Sequence, residues 1–223
     1  QGLAGQVFTV ASVKEKPSKR SPYAPFMTST LQQEASRRFR WNAQRTMRVA
    51  QGLYERGYIT YMRTDSTTLS EQAINAARTQ AAQLYGADHV ADAPRRYDRK
   101  VKNAQEAHEA IRPSGDAFRT PGEVSAEVNA DELSLYDLIW KRTVASQMTD
   151  ARIATTTARI EASASDNRRV QFSASGTVTL FAGFKAAYDN TREDSEDERE
   201  KVLPAMSEGQ VVNLLTLDPD GHS

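Results

Sequence analysis

The strongest constraint on the fold is a change in hydrophobic periodicity along the chain. Over residues 29–148 apolar side chains recur every three or four positions, as in amphipathic helices, whereas residues 7–13 and the segments after Thr149 alternate apolar with polar side chains. A helical region between alternating segments predicts that the first strand pairs with the late ones. We therefore expect an α+β fold in which a mostly helical domain is inserted into a β-rich domain.

Capping residues and helix breakers divide this pattern into elements. Residues 14–23 contain Pro17 and Pro22, which predicts a polar connection at a domain boundary. The predicted helix starts are Ser29 or Thr30 with Gln32 or Gln33 completing a capping box, Asn42, and Thr67 or Thr68. The remaining predicted elements are a helix over residues 131–148 and strands over residues 153–160, 170–180 and 210–217.

A second informative stretch is residues 57–70. Gly57 is predicted to end a helix, residues 58–63 are predicted to be extended, and residues 66–68 form a cap cluster that begins the next helix. Side chains alternate in an extended backbone, so Tyr61, Arg63 and Asp65 project from one edge and the residues between them from the other. Arginine is a planar donor suited to phosphate, and a nearby cation favours ionisation of a phenol. This edge predicts a tyrosine nucleophile that attacks a phosphodiester. The alternative is a packed aromatic ring beside a surface charge.

The helices before this stretch allow a different interpretation. Two short, arginine-rich helices are predicted on either side of residues 40–42, and the second carries Met47, Ala50, Leu53 and Tyr54 on one face. Such a pair resembles a helix-turn-helix, which is typical of non-catalytic DNA-binding modules. A module of that kind, however, has no need of a tyrosine, an arginine and an aspartate on one edge directly after its second helix.

Charge is distributed unevenly along the chain. The net charge is zero, which by itself argues against a nucleic-acid binder. Up to Arg63, however, basic residues outnumber the only acids, Glu15, Glu34 and Glu55, and the balance is restored in residues 193–200. This asymmetry is compatible with a phosphate-facing N-terminal half and an acidic, solvated loop. The alternative is an ordinary solvated basic surface.

Composition excludes several classes of protein. The 223 residues include no cysteine and three histidines, which excludes disulfides and thiolate metal sites and leaves little for a histidine-built site. No apolar run approaches the roughly 20 residues that span a bilayer, and no signal-peptide pattern is present, so we expect a soluble cytoplasmic protein without a membrane partner. Because the chain opens at Gln1, inside a predicted strand, we expect a piece of a longer protein.

Two runs of sequence resemble a known family. Residues 58–66 (YITYMRTDS) resemble the active-site signature of the bacterial type IA DNA topoisomerases, and residues 105–114 (QEAHEAIRPS) resemble the second signature of that family. Two long matches in the same order are far more specific than one short motif. The similarity continues over residues 25–35, 138–140 and 146–149, so it covers nearly the whole chain.

The resemblance implies a role for each candidate site residue. Tyr61 is the expected nucleophile, which forms a 5′-phosphotyrosine bond with one DNA strand, and Arg63 stabilises charge on the phosphate and on the phenolate. His108 is expected beside the scissile phosphate, where Asp65 orients it. The expected DNA-binding residues are Thr60, Arg63, His108 and Arg112.

Some of these residues have a structural alternative. A histidine considered alone, such as His108, is more often a satisfied structural residue. Arg112 can pair with an acid instead of contacting a phosphate. Tyr136 and Trp140, on the longest predicted helix, are expected to pack in the core rather than to stack on bases.

The resemblance also implies a domain layout and partners. Residues 1–20 and 149–223 correspond to the arch, called domain II, and residues 21–148 to the helical domain III that carries the tyrosine. A Toprim domain that binds Mg²⁺ and other domains of the same polypeptide lie outside the chain, in which we expect no metal-binding residues. The expected activity is ATP-independent relaxation of negatively supercoiled DNA by a nucleoid-associated enzyme. The chain alone is expected to be inactive.

Overall fold

Two compact units make up the chain, and each draws on separated stretches of sequence. In this computed structural model, which describes residues 3, 5–97, 109–188 and 202–216, one unit combines Gln1–Lys19, Arg152–Phe181 and Ser195–Ser223. The other combines Arg20–Ala151 and Ala182–Asp194. The first unit is built on a β-sheet and the second on helices, so the α+β class predicted from the periodicity is confirmed.

The sheet has four strands in the order β3–β2–β1–β4. They are β1 (Phe8–Arg20), β2 (Ala151–Ser163), β3 (Arg169–Phe181) and β4 (Val211–Val212). Strands β2 and β3 form an antiparallel hairpin, and β4 pairs antiparallel with the start of β1. Phe8 and Val10 are buried on the alternating face of β1, and the Phe8 ring lies 5.8 Å from that of Phe172. The first strand therefore joins the late strands, as its periodicity predicts.

The ends of two strands differ from the prediction. Strand β1 continues to Arg20, so residues 14–20 are extended backbone rather than a connection. Pro17 lies in the exposed half of this strand, where a missing N–H group is tolerated. Strand β4 is shorter than the predicted segment 210–217: Val211 and Val212 pair with Thr9 and Phe8, and just before them Gln210 and Gly209 hydrogen-bond to the backbone of Val10.

The helical unit is organised around its longest helix. Its helices are α1 (Thr28–Phe39), α2 (Ala43–Glu55), α3 (Glu71–Tyr85), α4 (Pro121–Val124) and α5 (Ala130–Ala145). Helix α5 contacts α2, α3 and α4, and its Leu135 and Ile139 are fully buried. Tyr136 and Trp140 pack in the same core, and each donates a hydrogen bond there: the Tyr136 hydroxyl to the Arg119 carbonyl and the Trp140 Nε1–H to Gln80 Oε1, both at 2.6 Å.

Helix caps show where local sequence signals succeed and fail. Asn42 caps α2 as predicted, because its Oδ1 accepts the Arg45 N–H at 2.8 Å. Helix α3, in contrast, is capped by Ser70 and not by Thr67 or Thr68. Those two threonines are used elsewhere: the Thr67 hydroxyl donates to the Tyr97 carbonyl and the Thr68 carbonyl accepts the Ala110 N–H. Helix α1 begins after Met27, earlier than the predicted serine or threonine cap.

A short stretch after β3 returns to the helical unit. Residues 183–187 form a 3₁₀ turn, in which Phe184 and Ala187 are buried in the helical core. Gly183 adopts a φ of 52°, and its backbone lies against the carbonyl groups of Thr149 and Asp150. A side chain at this position would meet that backbone, which explains a glycine here.

Candidate active site

The end of α2 sets the direction of the segment that carries Tyr61. Gly57 has a φ of 77°, and its N–H donates to the Tyr54 carbonyl at 2.9 Å. The Tyr58 N–H donates to the Leu53 carbonyl, also at 2.9 Å. This pair of hydrogen bonds is a Schellman motif, which ends the helix and turns the chain back past it.

The inner side of this segment pairs with residues of the second signature. Ile59 forms an antiparallel bridge with Pro113, the Thr60 N–H donates to the Arg112 carbonyl at 2.9 Å, and the Ser114 N–H donates to the Tyr58 carbonyl at 3.0 Å. The two sequence runs that resemble one family are therefore hydrogen-bonded to each other in the fold.

The far end of the segment is tied to the start of α1. The Thr28 N–H donates to the Thr64 carbonyl, and Thr28 Oγ1 accepts the Thr64 N–H, both at 2.9 Å. The Thr28 hydroxyl also lies 2.8 Å from the Met62 carbonyl. These contacts fix the backbone on both sides of Arg63 at the first turn of α1.

The predicted alternation of side chains appears as a difference in exposure. Tyr61 is 43% exposed, whereas Met62 and Thr64 are 4% and 8% exposed. Arg63 and Asp65 are exposed as well. The segment forms one isolated bridge, at Ile59, instead of a continuous strand, and its alternate residues Tyr61, Arg63 and Asp65 all reach the surface.

An open pocket lies next to Arg63 and Asp65. It has a volume of about 470 Å³ and is lined by Met27, Thr28, Ser29, Gln32, Arg63, Thr64 and Asp65. Backbone N–H groups at the start of a helix carry partial positive charge, and with an arginine they favour an anion such as phosphate. The Asp65 carboxylate opposes this effect on its own side of the pocket.

The Tyr61 ring contacts a second tyrosine. Tyr54, in the last turn of α2, places its ring centroid 5.3 Å from that of Tyr61 at an interplanar angle of 68°. The prediction put Tyr54 on the apolar face of α2, but the side chain is 42% exposed. The contact depends on the chain reversal at Gly57, so the spacing in sequence gave no signal for it.

The start of the segment is anchored by a carboxylate cluster. The Tyr58 hydroxyl donates to Glu127 Oε2 at 2.7 Å, and Arg119 Nη2 donates to Glu127 Oε1 at 2.5 Å. The hydrogen bonds from Arg119 and Tyr58 lower the pKa of Glu127 to about 2. The same bond to Glu127 raises the pKa of Tyr58, which keeps this phenol protonated. Tyr58 is thus an anchor, in contrast to the exposed Tyr61.

Two residues that are predicted to contact DNA, Thr60 and Arg112, form side-chain hydrogen bonds within the protein. Arg112 is 8% exposed, and its guanidinium donates to Glu109 Oε2 at 2.7 and 3.1 Å and to the carbonyls of Pro113 and Gly115 at 2.8 and 3.0 Å. The Thr60 hydroxyl donates to the Ala110 carbonyl at 2.8 Å. These bonds favour the alternative in which Arg112 pairs with an acid, and a DNA-binding role for either residue stays a prediction.

Two further findings bear on metal and histidine chemistry. His108 lies outside the described residues, so its expected pairing with Asp65 also stays a prediction. Across residues 5–97, 109–188 and 202–216, no group of three or more histidine, aspartate or glutamate side chains is placed to hold a metal ion. In the same part of the chain, no helix has the length and apolar character needed to cross a membrane.

Comparison with known proteins gives consistent matches over the chain. A family model described as DNA topoisomerase matches residues 1–222. DNA topoisomerase 1 of Mycolicibacterium smegmatis is 58% identical over 99% of this chain and 24% of its own length. The corresponding protein of Streptomyces coelicolor is 57% identical over 97% of this chain and 23% of its own length. The chain thus spans about a quarter of the length of these curated relatives.

A solved structure agrees with these matches. Full-length topoisomerase I from Thermotoga maritima aligns with a TM-score of 0.75 and 32% sequence identity, over 94% of this chain and 33% of that one. The sequence match and the shared fold each extend over nearly the whole chain. The chain therefore belongs to the family of bacterial type IA DNA topoisomerases.

Proposed function

We propose that this chain supplies the tyrosine side of a topoisomerase active site, which cleaves and reseals one DNA strand through a 5′-phosphotyrosine intermediate. The observation that carries the proposal is that Tyr61, Arg63 and Asp65 are all exposed on one short segment, of which Arg63 and Asp65 line a pocket at the first turn of α1. Cleavage, strand passage and resealing relax negative supercoils. Because the exchange conserves the phosphoester, no nucleotide hydrolysis is needed.

The chemistry follows from the groups on this segment. As Tyr61 Oη bonds to phosphorus, the bond to the 3′-oxygen breaks; the phenol loses its proton and the leaving 3′-oxygen takes one up. Arg63 stabilises the negative charge that builds up on the phosphate oxygens. His108, oriented by Asp65, is proposed to bind the same phosphate. Resealing is the reverse attack by the 3′-hydroxyl.

The domain assignment is part of the proposal. Residues 21–148 are assigned to the helical tyrosine domain, and residues 1–20 and 149–223 to the arch. The separation of a helical unit from a sheet unit supports this layout. Within the range 149–223, however, Phe184 and Ala187 pack with the helical core, so the chain leaves the sheet unit after β3 and returns to it further on.

The remainder of a full-length enzyme is proposed to complete the site. Mg²⁺, which the family implies, has no fitting set of carboxylate ligands among the described residues, so no step in this chain is assigned to it. We place that ion in the Toprim domain, outside the chain. The partners are a single-stranded DNA segment and the other domains of the same polypeptide, in the cytoplasm at the nucleoid. The isolated chain is expected not to relax supercoils.

The test is a covalent-labelling experiment. Single-stranded DNA labelled at its 3′ end is incubated in Mg²⁺ buffer with this chain and the separately expressed remainder of the enzyme, and the products are separated by denaturing electrophoresis. We expect label on this chain that is lost with Tyr61→Phe. Tyr23→Phe is the matched control, since Tyr23 is also exposed, at 64%, and is expected to keep the label.

Two outcomes would contradict the proposal. Label that persists with Tyr61→Phe would require another nucleophile. No label in a reassembled mixture that demonstrably binds DNA would favour the non-catalytic helix-turn-helix module instead.

A further inference from the structure

We infer that Tyr54 is a positioning residue for Tyr61, whose ring it holds in place for attack on the phosphodiester. The inference rests on the proposed role of Tyr61 as the nucleophile. It concerns the side chain of Tyr61 alone, because the backbone of the segment is already held by hydrogen bonds to the second signature and to α1.

The geometry of the two rings is that of a specific aromatic pair. Their centroids are 5.3 Å apart, and the interplanar angle of 68° directs the edge of one ring toward the face of the other. Edge-to-face pairs are favoured because the positive ring edge meets the negative ring face. Within the part of the chain that the structure describes, Tyr54 provides the one aromatic ring in contact with Tyr61.

Both rings are carried by rigid backbone. Tyr54 belongs to α2, whose neighbouring residue Leu53 is fully buried in the core. Gly57 then reverses the chain, so that Tyr61 returns toward the last turn of the same helix. Because the backbone is fixed at both residues, the Tyr54 ring cannot follow the Tyr61 ring, and the contact restricts the rotamers of Tyr61.

The exposure of Tyr54 argues against a purely structural role. Tyr54 is 42% exposed, so packing in the core does not explain why a large aromatic side chain is placed here. A nucleophile held in one rotamer spends more of its time within reach of the phosphorus atom. An aromatic pair of this kind corresponds to about threefold to tenfold in an equilibrium, which sets the size of the expected effect.

The test compares variants in the full-length enzyme. The rate constant of single-turnover cleavage is measured with saturating labelled single-stranded DNA, and DNA affinity is measured separately by fluorescence anisotropy. We expect Tyr54→Ala to slow cleavage about threefold to tenfold with an unchanged DNA affinity. Tyr54→Phe keeps the ring and is expected to restore the rate to within about twofold.

Two further variants separate the ring contact from general effects. Tyr54→Leu keeps apolar volume and helix propensity but removes the ring, so it is expected to slow cleavage as Tyr54→Ala does even if the alanine variant folds poorly. Leu84→Ala removes another exposed apolar side chain, 51% exposed on α3, and is expected to leave the rate unchanged.

Distinct results would overturn the inference. A normal rate with both Tyr54→Ala and Tyr54→Leu would mean that Tyr61 needs no such support. A parallel loss of rate and affinity would identify Tyr54 as a base contact, and failure of Tyr54→Phe to restore the rate would assign the effect to the hydroxyl group. Tyr61→Phe in the same assay tests the proposed function separately. A covalent DNA adduct formed by this variant would show that Tyr61 is not the nucleophile, whatever the Tyr54 variants do.

Discussion

Replacing Arg112 tests whether this residue contacts DNA or holds the site together. Its guanidinium joins Glu109 to the carbonyls of Pro113 and Gly115 with only 8% of the residue exposed. Its carbonyl also accepts the Thr60 N–H, next to Tyr61. Burial acts to raise the pKa of Glu109, but the hydrogen bonds from Ser70 and Arg112 outweigh it and lower that pKa. Arg112→Ala would leave a partly buried carboxylate without its cation.

The size of the effect follows from this environment. Breaking a buried ion pair by removing one partner typically costs about 3–5 kcal/mol. The Glu109 side chain is 28% exposed and retains the hydrogen bond from the Ser70 N–H, so we expect a smaller loss of about 2–3 kcal/mol in the free energy of unfolding. For a chain of this size that corresponds to a fall of roughly 4–12 °C in the melting temperature.

The assay is thermal and urea unfolding of the purified chain, followed by circular dichroism. Arg48→Ala is the matched control, because Arg48 is an exposed arginine on α2 and its loss is expected to cost less than about 0.5 kcal/mol. Adding Glu109→Gln to Arg112→Ala should recover about 1 kcal/mol, since it removes the unpaired carboxylate. An unchanged melting temperature together with weaker, less salt-dependent DNA binding would refute the reasoning and make Arg112 a phosphate contact.

Three other predictions concern charge and backbone conformation. Arg63→Ala in the full-length enzyme should slow cleavage by about 10²-fold and weaken DNA binding far less, and a parallel loss would make Arg63 only a docking contact. Gly183→Ala should lower the free energy of unfolding by about 3 kcal/mol or more, because the added Cβ would meet the Asp150 carbonyl. Gly57→Ala adds its Cβ in open space and should cost about 1–2 kcal/mol, for the positive φ alone. Urea unfolding measures both, and equal costs would contradict this. The pKa of Glu127 is lowered from 4.5 to about 2, so its ionised carboxylate stabilises the fold above pH 4.5, and this contribution is lost as the pH falls toward 2. Glu127→Gln should make the urea midpoint of unfolding depend less on pH over that range. The same pH dependence in the variant would exclude this contribution.

Local sequence patterns determined the fold class and the exposed side chains around Tyr61. Alternation with a period of two depends only on neighbouring residues, so the exposure of Tyr61, Arg63 and Asp65 between the buried Met62 and Thr64 followed from the sequence alone. The same holds for the ends of α2, where the Asn42 side chain and the backbone freedom of Gly57 act within one turn of the helix.

Tertiary structure decided what those residues contact. The hydrogen bond between Thr60 and Arg112 joins residues 52 positions apart, and the one between Thr28 and Thr64 joins residues 36 apart, so no local pattern encodes either. Competition for hydrogen bonds explains why Thr67 does not cap α3, since its hydroxyl is bound to a distant carbonyl. The contact of Tyr54 with Tyr61 likewise exists only after the chain reverses. Local sequence therefore determined which groups reach the surface, and long-range pairing decided which of them meet there.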